Sequence, residues 1–254
     1  MASTGEGTRG GQAGTVELLW GLRERPTRGP KPALSLERIA DAAVAVADAE
    51  GMAAVSMQRV ASALDFTKMS LYRYVTGKDE LVAAMIEAAV GEPPDLSDVP
   101  GGWRGRLEEY ARRLWATWQR HPWLPGATVG QHRIMGPREV GWSEAAVSAL
   151  DGTPLGGRER LDAVFLLSGH IRNTHSMSTA GSHPWTADQQ FSPAVANLKD
   201  VYRVRYPALT AAVGAAAADP SIDNGREFGL RRILDGLELL ITERQRPSSP
   251  HPTS

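Results

Sequence analysis

Apolar residues recur at one-face helical spacing along most of the chain, and the interruptions between these runs predict where helices begin and end. Leu36, Ile39, Ala40, Ala43 and Ala47 share a face that runs out at Gly51. Ser35 is the N-cap this pattern calls for, Glu37 sits in the first turn, and the glycine supplies the stop. Ser56 opens a shorter helix with Met57, Val60, Ala61 and Leu64 inward. Thr67 opens another, from Lys68 to about Val75, after a gap at Asp65-Phe66 that admits only a tight turn. A fourth helix is expected from about Lys78 to Val90, with Leu81, Val82, Met85, Ile86 and Ala89 facing inward. Two short helices joined by a tight turn and braced by a longer first helix describe a helix-turn-helix.

The segment GEPPDLSDVPGG, residues 91–102, breaks the pattern with proline and glycine and is read as a linker between domains. Beyond it, Trp103, Leu107, Tyr110, Ala111, Leu114, Trp115 and Trp118 form an apolar stripe that stops near Pro122. Further helices are predicted at about 137–150, 158–180, 188–205 and 223–245, with short pieces at 122–128 and 207–218. No run alternates with the period of two that a strand needs, so the fold class is all-α. The expected organisation is a flexible arm at 1–33, a helix-turn-helix domain at 34–90, the linker, a larger helical domain at 103–246, and a disordered tail at 247–254. Within the arm, Val16, Leu18, Leu19 and Trp20 form one apolar patch in otherwise Gly-, Thr-, Arg- and Pro-rich text.

Two late helices have unusual faces. The one around Leu161, Val164, Phe165, Leu166 and Leu167 is apolar nearly all round, and the last carries Leu230, Ile233, Leu234, Leu237, Leu240 and Ile241. A helix apolar on several sides needs protein on several sides. Gly169 and Gly236 inside them cost roughly 1 kcal/mol each against alanine, which a close helix approach would offset. These features suit a four-helix interface between two copies of the chain, with a purely internal core as the alternative.

Composition narrows the function. The 254 residues are 42% hydrophobic, enough for a sizeable core, and no apolar run reaches the roughly 18 residues that span a bilayer. The start lacks the basic-then-apolar order of a secretory signal, so a cytoplasmic location and no membrane partner are expected. The absence of cysteine removes disulfides, thiolate nucleophiles and Cys-ligated zinc. A formal net charge of −1 gives no whole-molecule attraction for nucleic acid, so any such attraction must be local. Two stretches carry a local positive excess: Arg23, Arg25, Arg28 and Lys31 against Glu24, and Arg59, Lys68, Arg73 and Lys78 against Asp65.

The stretch SMQRVASALDFTKMSLYRYVTGKDEL, residues 56–81, closely resembles the helix-turn-helix of the TetR/AcrR family of bacterial repressors. The run Ser70-Leu71-Tyr72-Arg73-Tyr74-Val75 and Lys78 at the start of the next helix carry the resemblance, which extends over about residues 34–90. A looser similarity to the tetracycline-repressor-like C-terminal domain lies in HRIMGPREVGWSEAAVSALDGTPLGGRERLDAVFLLSGHIRN and in Glu227-Phe228-Gly229-Leu230. The resemblance implies an all-helical homodimer, double-stranded operator DNA as partner, and a small-molecule effector that binds the C-terminal domain and releases the DNA. It also implies phosphate contacts from Ser56, Ser70, Tyr72, Tyr74 and Lys78.

For base edges the candidates are Gln58, Lys68, Met69 and Arg73. Glutamine can pair with adenine N6 and N7, lysine or arginine with guanine O6 and N7, and methionine can touch a thymine methyl. Leu71, Val75 and one of the two tyrosines are expected in the core. In this family the turn usually carries glycine where Asp65-Phe66 stands, and aspartate takes the left-handed conformation only less comfortably. The basic arm from Arg23 to Lys31 can add minor-groove or phosphate contacts.

The C-terminal domain mixes tryptophans with His121, His132, Arg133, His170, Asn173 and His175. Trp118, His132, His170 and Asn173 are the candidates for lining an effector pocket, with plain core packing as their alternative. His170 and His175 are five apart, off the i, i+4 face that pairs metal ligands, so no metal and no cofactor are expected. The sequence has no G-x-S-x-G elbow, phosphate loop or H-E-x-x-H, which speaks against an enzyme. The remaining alternative is a ligand sensor of the same fold with weak DNA affinity.

Overall fold

The structure is a computed structural model that describes residues 4–22, 33–129, 133–179, 199–217 and 225–246. Regular structure among these residues is helical throughout: α1 (Thr4–Leu19), α2 (Leu36–Glu50), a 3-10 turn (Met52–Ala54), α3 (Met57–Leu64), α4 (Lys68–Leu71), α5 (Lys78–Val90), α6 (Gly102–Arg120), α7 (Leu124–Ala127), α8 (Pro137–Ser148), α9 (Gly157–Thr179), α10 (Lys199–Arg205), α11 (Pro207–Ala217) and α12 (Arg226–Gln245). No described helix is long and apolar enough to cross a membrane.

The caps expected from the sequence are present. Ser35 Oγ accepts the Arg38 N–H (3.2 Å), Ser56 Oγ accepts that of Arg59 (3.1 Å), and Thr67 Oγ1 accepts that of Ser70 (3.3 Å). Each satisfies one of the donors that the first turn of a helix leaves open. Asp65 ends α3 at φ 60° and ψ 40°, in the left-handed region, and is the one non-glycine residue with positive φ among those described. Its conformation lets the Phe66 N–H reach back to the Ala61 carbonyl (3.0 Å), closing α3 and turning the chain into α4 within two residues.

The structure departs from the expected helices in two places. The predicted helix from Lys68 to Val75 is regular only to Leu71, although the Tyr74 and Val75 N–H groups still donate to the Leu71 carbonyl (2.9 and 3.1 Å). The arm read as unstructured is helical over Thr4–Leu19, and its apolar patch explains why: Leu18 is buried in the core that α2, α3, α4 and α5 build.

That core contains Ile39, Ala43, Val60, Leu71, Val75, Leu81 and Met85. At its centre stands α5, which α1, α2, α7 and α8 all contact, so that it is buried on nearly every side. Two of its buried residues are carboxylates, and backbone N–H groups hold both. Glu80 accepts from Thr76 (2.8 Å); Glu87 accepts from Arg138 (2.9 Å) and Glu139 (3.1 Å) at the open N-terminus of α8. Burial pushes the Glu87 carboxyl above its ordinary value, more than these bonds pull it down. Gly136 is required beside it, because a Cβ there would lie 2.3 Å from the Glu87 carboxyl carbon.

Two compact units divide after Val164, not at the expected linker. Residues 91–102 are built into the first unit. Pro94 and Leu96 are buried, and the Trp142 indole donates to the Gly91 carbonyl (3.4 Å). In the second unit, Leu167 and Ile171 of α9 and Leu234, Leu237 and Ile241 of α12 are buried.

Because Asp65 alone carries the left-handed turn, its replacement separates backbone strain from side-chain chemistry. Asp65→Val is expected to lose about 1–2 kcal/mol, as a β-branched residue resists positive φ. Asp65→Gly should stay within about 1 kcal/mol of the parent, since relief of strain opposes the added freedom of the unfolded chain. Urea midpoints of the two variants measure the difference.

Candidate nucleic-acid interface

The fold presents the α3 to α5 segment with one side sealed and one side open. Leu71 and Val75 are wholly buried, whereas Lys68, Met69, Tyr72 and Arg73 between and before them are exposed. Met69 is 69% exposed, a large apolar side chain in water with no core role. Gln58 on α3 and Lys78, the first residue of α5, are exposed as well. The structure therefore brings Lys68, Met69, Tyr72 and Arg73 onto one short exposed stretch, with Gln58 and Lys78 at the starts of the flanking helices.

The hydroxyl candidates divide by which way their hydrogen bonds run. Ser56 accepts in its cap, so its own O–H remains a donor for a phosphate oxygen. Ser70 Oγ lies 3.0 Å from Thr67 Oγ1, and one of the two must donate to the other. Tyr74 gives its only proton to the Leu34 carbonyl (2.7 Å) across forty residues. A phosphate oxygen is an acceptor and gains nothing from that group. Of the two tyrosines, Tyr74 is thus the packed one, bracing the entry of α2, and Tyr72 is the open one, at 40% exposure.

The local charge differs from the sequence count. Arg59 pairs with Glu50 (2.5 Å), and the guanidinium holds the Glu50 carboxyl below its ordinary value. Arg59 is thereby withdrawn from the positive patch, leaving Lys68, Arg73 and Lys78 as its cations, with Asp65 and Asp79 exposed nearby in the chain. The basic arm from Arg23 to Lys31 lies outside the described residues.

The four expected pocket residues have different surroundings. Trp118 is buried in α6 of the first unit, and His132 lies outside the described residues. In the second unit, His170 Nε2 lies 2.9 Å from the Arg226 carbonyl, with its ring over Gly229, where a Cβ would sit 2.2 Å from it. The ring thus lies between α9 and α12. Asn173 is exposed on α9. A polar groove of about 270 Å³ in the first unit, between Pro93, Pro94, Arg112, Arg113 and Trp142, includes none of the four.

Sequence reading missed the groups that fasten this region to α6–α8. Asp48 on α2 receives both His121 and Trp123, and Glu87 caps α8. Partners some fifty to seventy-five residues apart leave no local spacing to detect.

The two tyrosines should respond differently to loss of a hydroxyl. Tyr74→Phe leaves the Leu34 carbonyl unpaired and is expected to lower stability by about 1 kcal/mol. Tyr72→Phe should leave the thermal midpoint unchanged and weaken binding to duplex DNA. Thermal unfolding and fluorescence anisotropy of both variants measure these effects.

Comparison with known proteins agrees with this geometry. Residues 39–85 match the family described as "Bacterial regulatory proteins, tetR family", and residues 94–241 match "Tetracyclin repressor-like, C-terminal domain". The chain is 39% identical to the HTH-type transcriptional repressor DrrR1 of Streptomyces coeruleorubidus, covering 98% of this chain and 93% of that protein. It is 26% identical to an HTH-type transcriptional regulator of Saccharopolyspora erythraea, over 89% of this chain and 92% of that one. Among solved structures, apo ActR of Streptomyces coelicolor superposes with a TM-score of 0.67 at 26% identity, over 84% of this chain and 99% of that one. ActR in complex with (S)-DNPA gives 0.66 at 25% identity, over 83% and 100%. With an N-terminal helix-turn-helix, an all-helical C-terminal region and these relatives, the chain belongs to the tetR family of bacterial transcriptional regulators.

Proposed function

We propose that the protein is a repressor that binds a palindromic operator as a homodimer and is released by a small molecule held in its C-terminal domain. The observation that carries this reading is the exposed row Lys68, Met69, Tyr72 and Arg73, fixed from behind by wholly buried Leu71 and Val75. Lys68, Arg73, Gln58 and Met69 read bases in this account; Ser56, Ser70, Tyr72 and Lys78 hold phosphates, which set register without carrying sequence information. Tyr74 supports them from within.

Several features support a dimer. Phe165 is 78% and Leu166 55% exposed on α9, and Phe228 is 68% and Leu239 59% exposed on α12. Gly169 and Gly236 meet nothing within 4 Å of a built Cβ. A second copy laid on these faces would bury the exposed rings and approach closely at the glycines. The state that binds DNA must then place the two recognition segments about 34–36 Å apart, one turn of duplex.

The functional division assigns residues 34–90 to DNA and 103–246 to effector and dimer, although the packing division falls after Val164. Trp118, His132, His170 and Asn173 remain the proposed effector contacts. The complex of ActR with (S)-DNPA makes that compound the first probe for this chain. An effector can release DNA only by preferring the state that binds DNA poorly, and moving the balance from 1:99 to 99:1 takes about 5.5 kcal/mol of preference. This reading gives the protein no reaction to catalyse, and it acts in the cytoplasm where the DNA is.

Salt dependence distinguishes this reading from a ligand sensor with little DNA affinity. Binding to duplex should fall steeply with salt, at a logarithmic slope of about −0.9 for each phosphate neutralised. Lys78→Ala should weaken binding to all sequences and reduce that slope by about 1, whereas Lys68→Ala and Arg73→Ala should relax preference at particular bases at a cost of about 1–3 kcal/mol each. Unchanged affinity and slope for Lys78→Ala would contradict the assignment.

A further inference from the structure

The corner between α6 and α7 reaches across to the first helix of the DNA-binding region. His121, where α6 ends, places Nδ1 3.0 Å from each of the two carboxylate oxygens of Asp48 on α2. Two residues on, the Trp123 indole N–H donates to Asp48 Oδ1 (2.7 Å). The Trp123 ring packs against the same apolar core that anchors Leu71 and Val75, and the two aromatic rings lie 6.1 Å apart at 56°. The His121 side chain is only 17% exposed and that of Asp48 32%.

We propose that His121, Asp48 and Trp123 form a proton-operated clamp between the DNA-binding helices and the α6–α7 corner, so that operator binding responds to protonation of the imidazole. The proposal rests on the reading that this protein binds DNA.

The indole carries its N–H in every protonation state and is the permanent half of the clamp. The imidazole is the variable half. Protonated, it brings a full positive charge astride both carboxylate oxygens; neutral, it keeps one hydrogen bond, and only in the tautomer with its proton on Nδ1. Asp48 lies on the helix whose core seats Leu71 and Val75, so a change in the clamp reaches the exposed row those residues hold.

Among the other charged groups on these elements, Glu37, Arg38, Asp41, Lys78 and Asp79 are exposed, and several more have partners of their own. Arg120 turns to Thr117 Oγ1 (3.3 Å), and Glu50 on α2 pairs with Arg59 (2.5 Å). On α5, Glu80 accepts from Thr76 and Glu87 from Arg138 and Glu139. The four residues of α7, Leu124–Ala127, carry no ionisable side chain.

The test uses the full chain and a short fluorescent duplex that the protein itself selects from genomic DNA. The parent's affinity for the duplex should change about two- to fivefold more between about pH 7.5 and about pH 5.5 than that of His121→Gln or Asp48→Asn, as expected for a half-screened ion pair. Asp48→Asn keeps the imidazole but removes its carboxylate partner, so a pH response that survives in it would mean that the charge of His121 acts on DNA without the clamp, and the proposal would be overturned.

A second readout needs no DNA. The ¹⁵N indole signal of Trp123, identified by its loss in Trp123→Phe, should move with pH in the parent and stay fixed in His121→Gln. A fixed signal in the parent overturns the proposal. A moving signal without DNA binding at any pH would leave the clamp standing and overturn the DNA reading.

Discussion

A helix of four residues cannot hold its own shape, because the first hydrogen-bonded turn fixes several dihedral angles for a single bond. The proposed recognition segment, Lys68–Leu71, is such a helix. Its direction therefore depends on Leu71 and Val75, both wholly buried in the core built by α2, α3 and α5. The Thr67 cap at one end and the Asp65 turn before it fix the angle of approach, but the two aliphatic anchors supply the adhesion. With them in place, Lys68, Met69, Tyr72 and Arg73 have nowhere to go but outward.

The same core explains how the segment is tied to the rest of its compact unit. α5 is buried nearly all round, and a helix in that position can carry charge only where the charge is matched. Backbone N–H groups donate to both Glu80 and Glu87: Glu80 closes the entry to α5 itself, and Glu87 closes the N-terminus of α8. Asp48 repeats the arrangement from α2, with Trp123 and His121 as donors. In both links to α6–α8 the carboxylate belongs to the DNA-binding side and the donors to the other. This fastening also accounts for the packed state of residues 91–102, whose proline and glycine content reads as a linker but whose Pro94 and Leu96 are buried.

Local physics made much of this fold legible in the sequence. Ser35, Ser56 and Thr67 cap the helices they were expected to cap, and Asp65 adopts the left-handed turn. Each of those features depends on neighbours within a few residues. The failures have the opposite character. Helix α1 lies in glycine-rich text with little helical propensity, and its Leu18 is held by a core assembled from distant residues. The roles of Tyr74 and Arg59 turn on partners, Leu34 and Glu50, that no spacing rule reveals. The candidate DNA contacts could be named from the sequence because they lie in one continuous stretch, and the structure exposes Lys68, Met69, Tyr72 and Arg73 among them. The four candidate pocket residues, drawn from α6, α9 and the stretch between them, share no local pattern.

The exposed row on α4 and its flanks is proposed to read a symmetric operator. Selection of genomic DNA fragments by the purified protein, followed by sequencing, tests this most directly. The account predicts enriched fragments that share an inverted repeat, with half-site centres about 10 base pairs apart or a multiple of that, and loss of the enrichment when Lys68 and Arg73 are both replaced by alanine. Fragments enriched no more than bulk DNA, or an enrichment indifferent to those two residues, would contradict it.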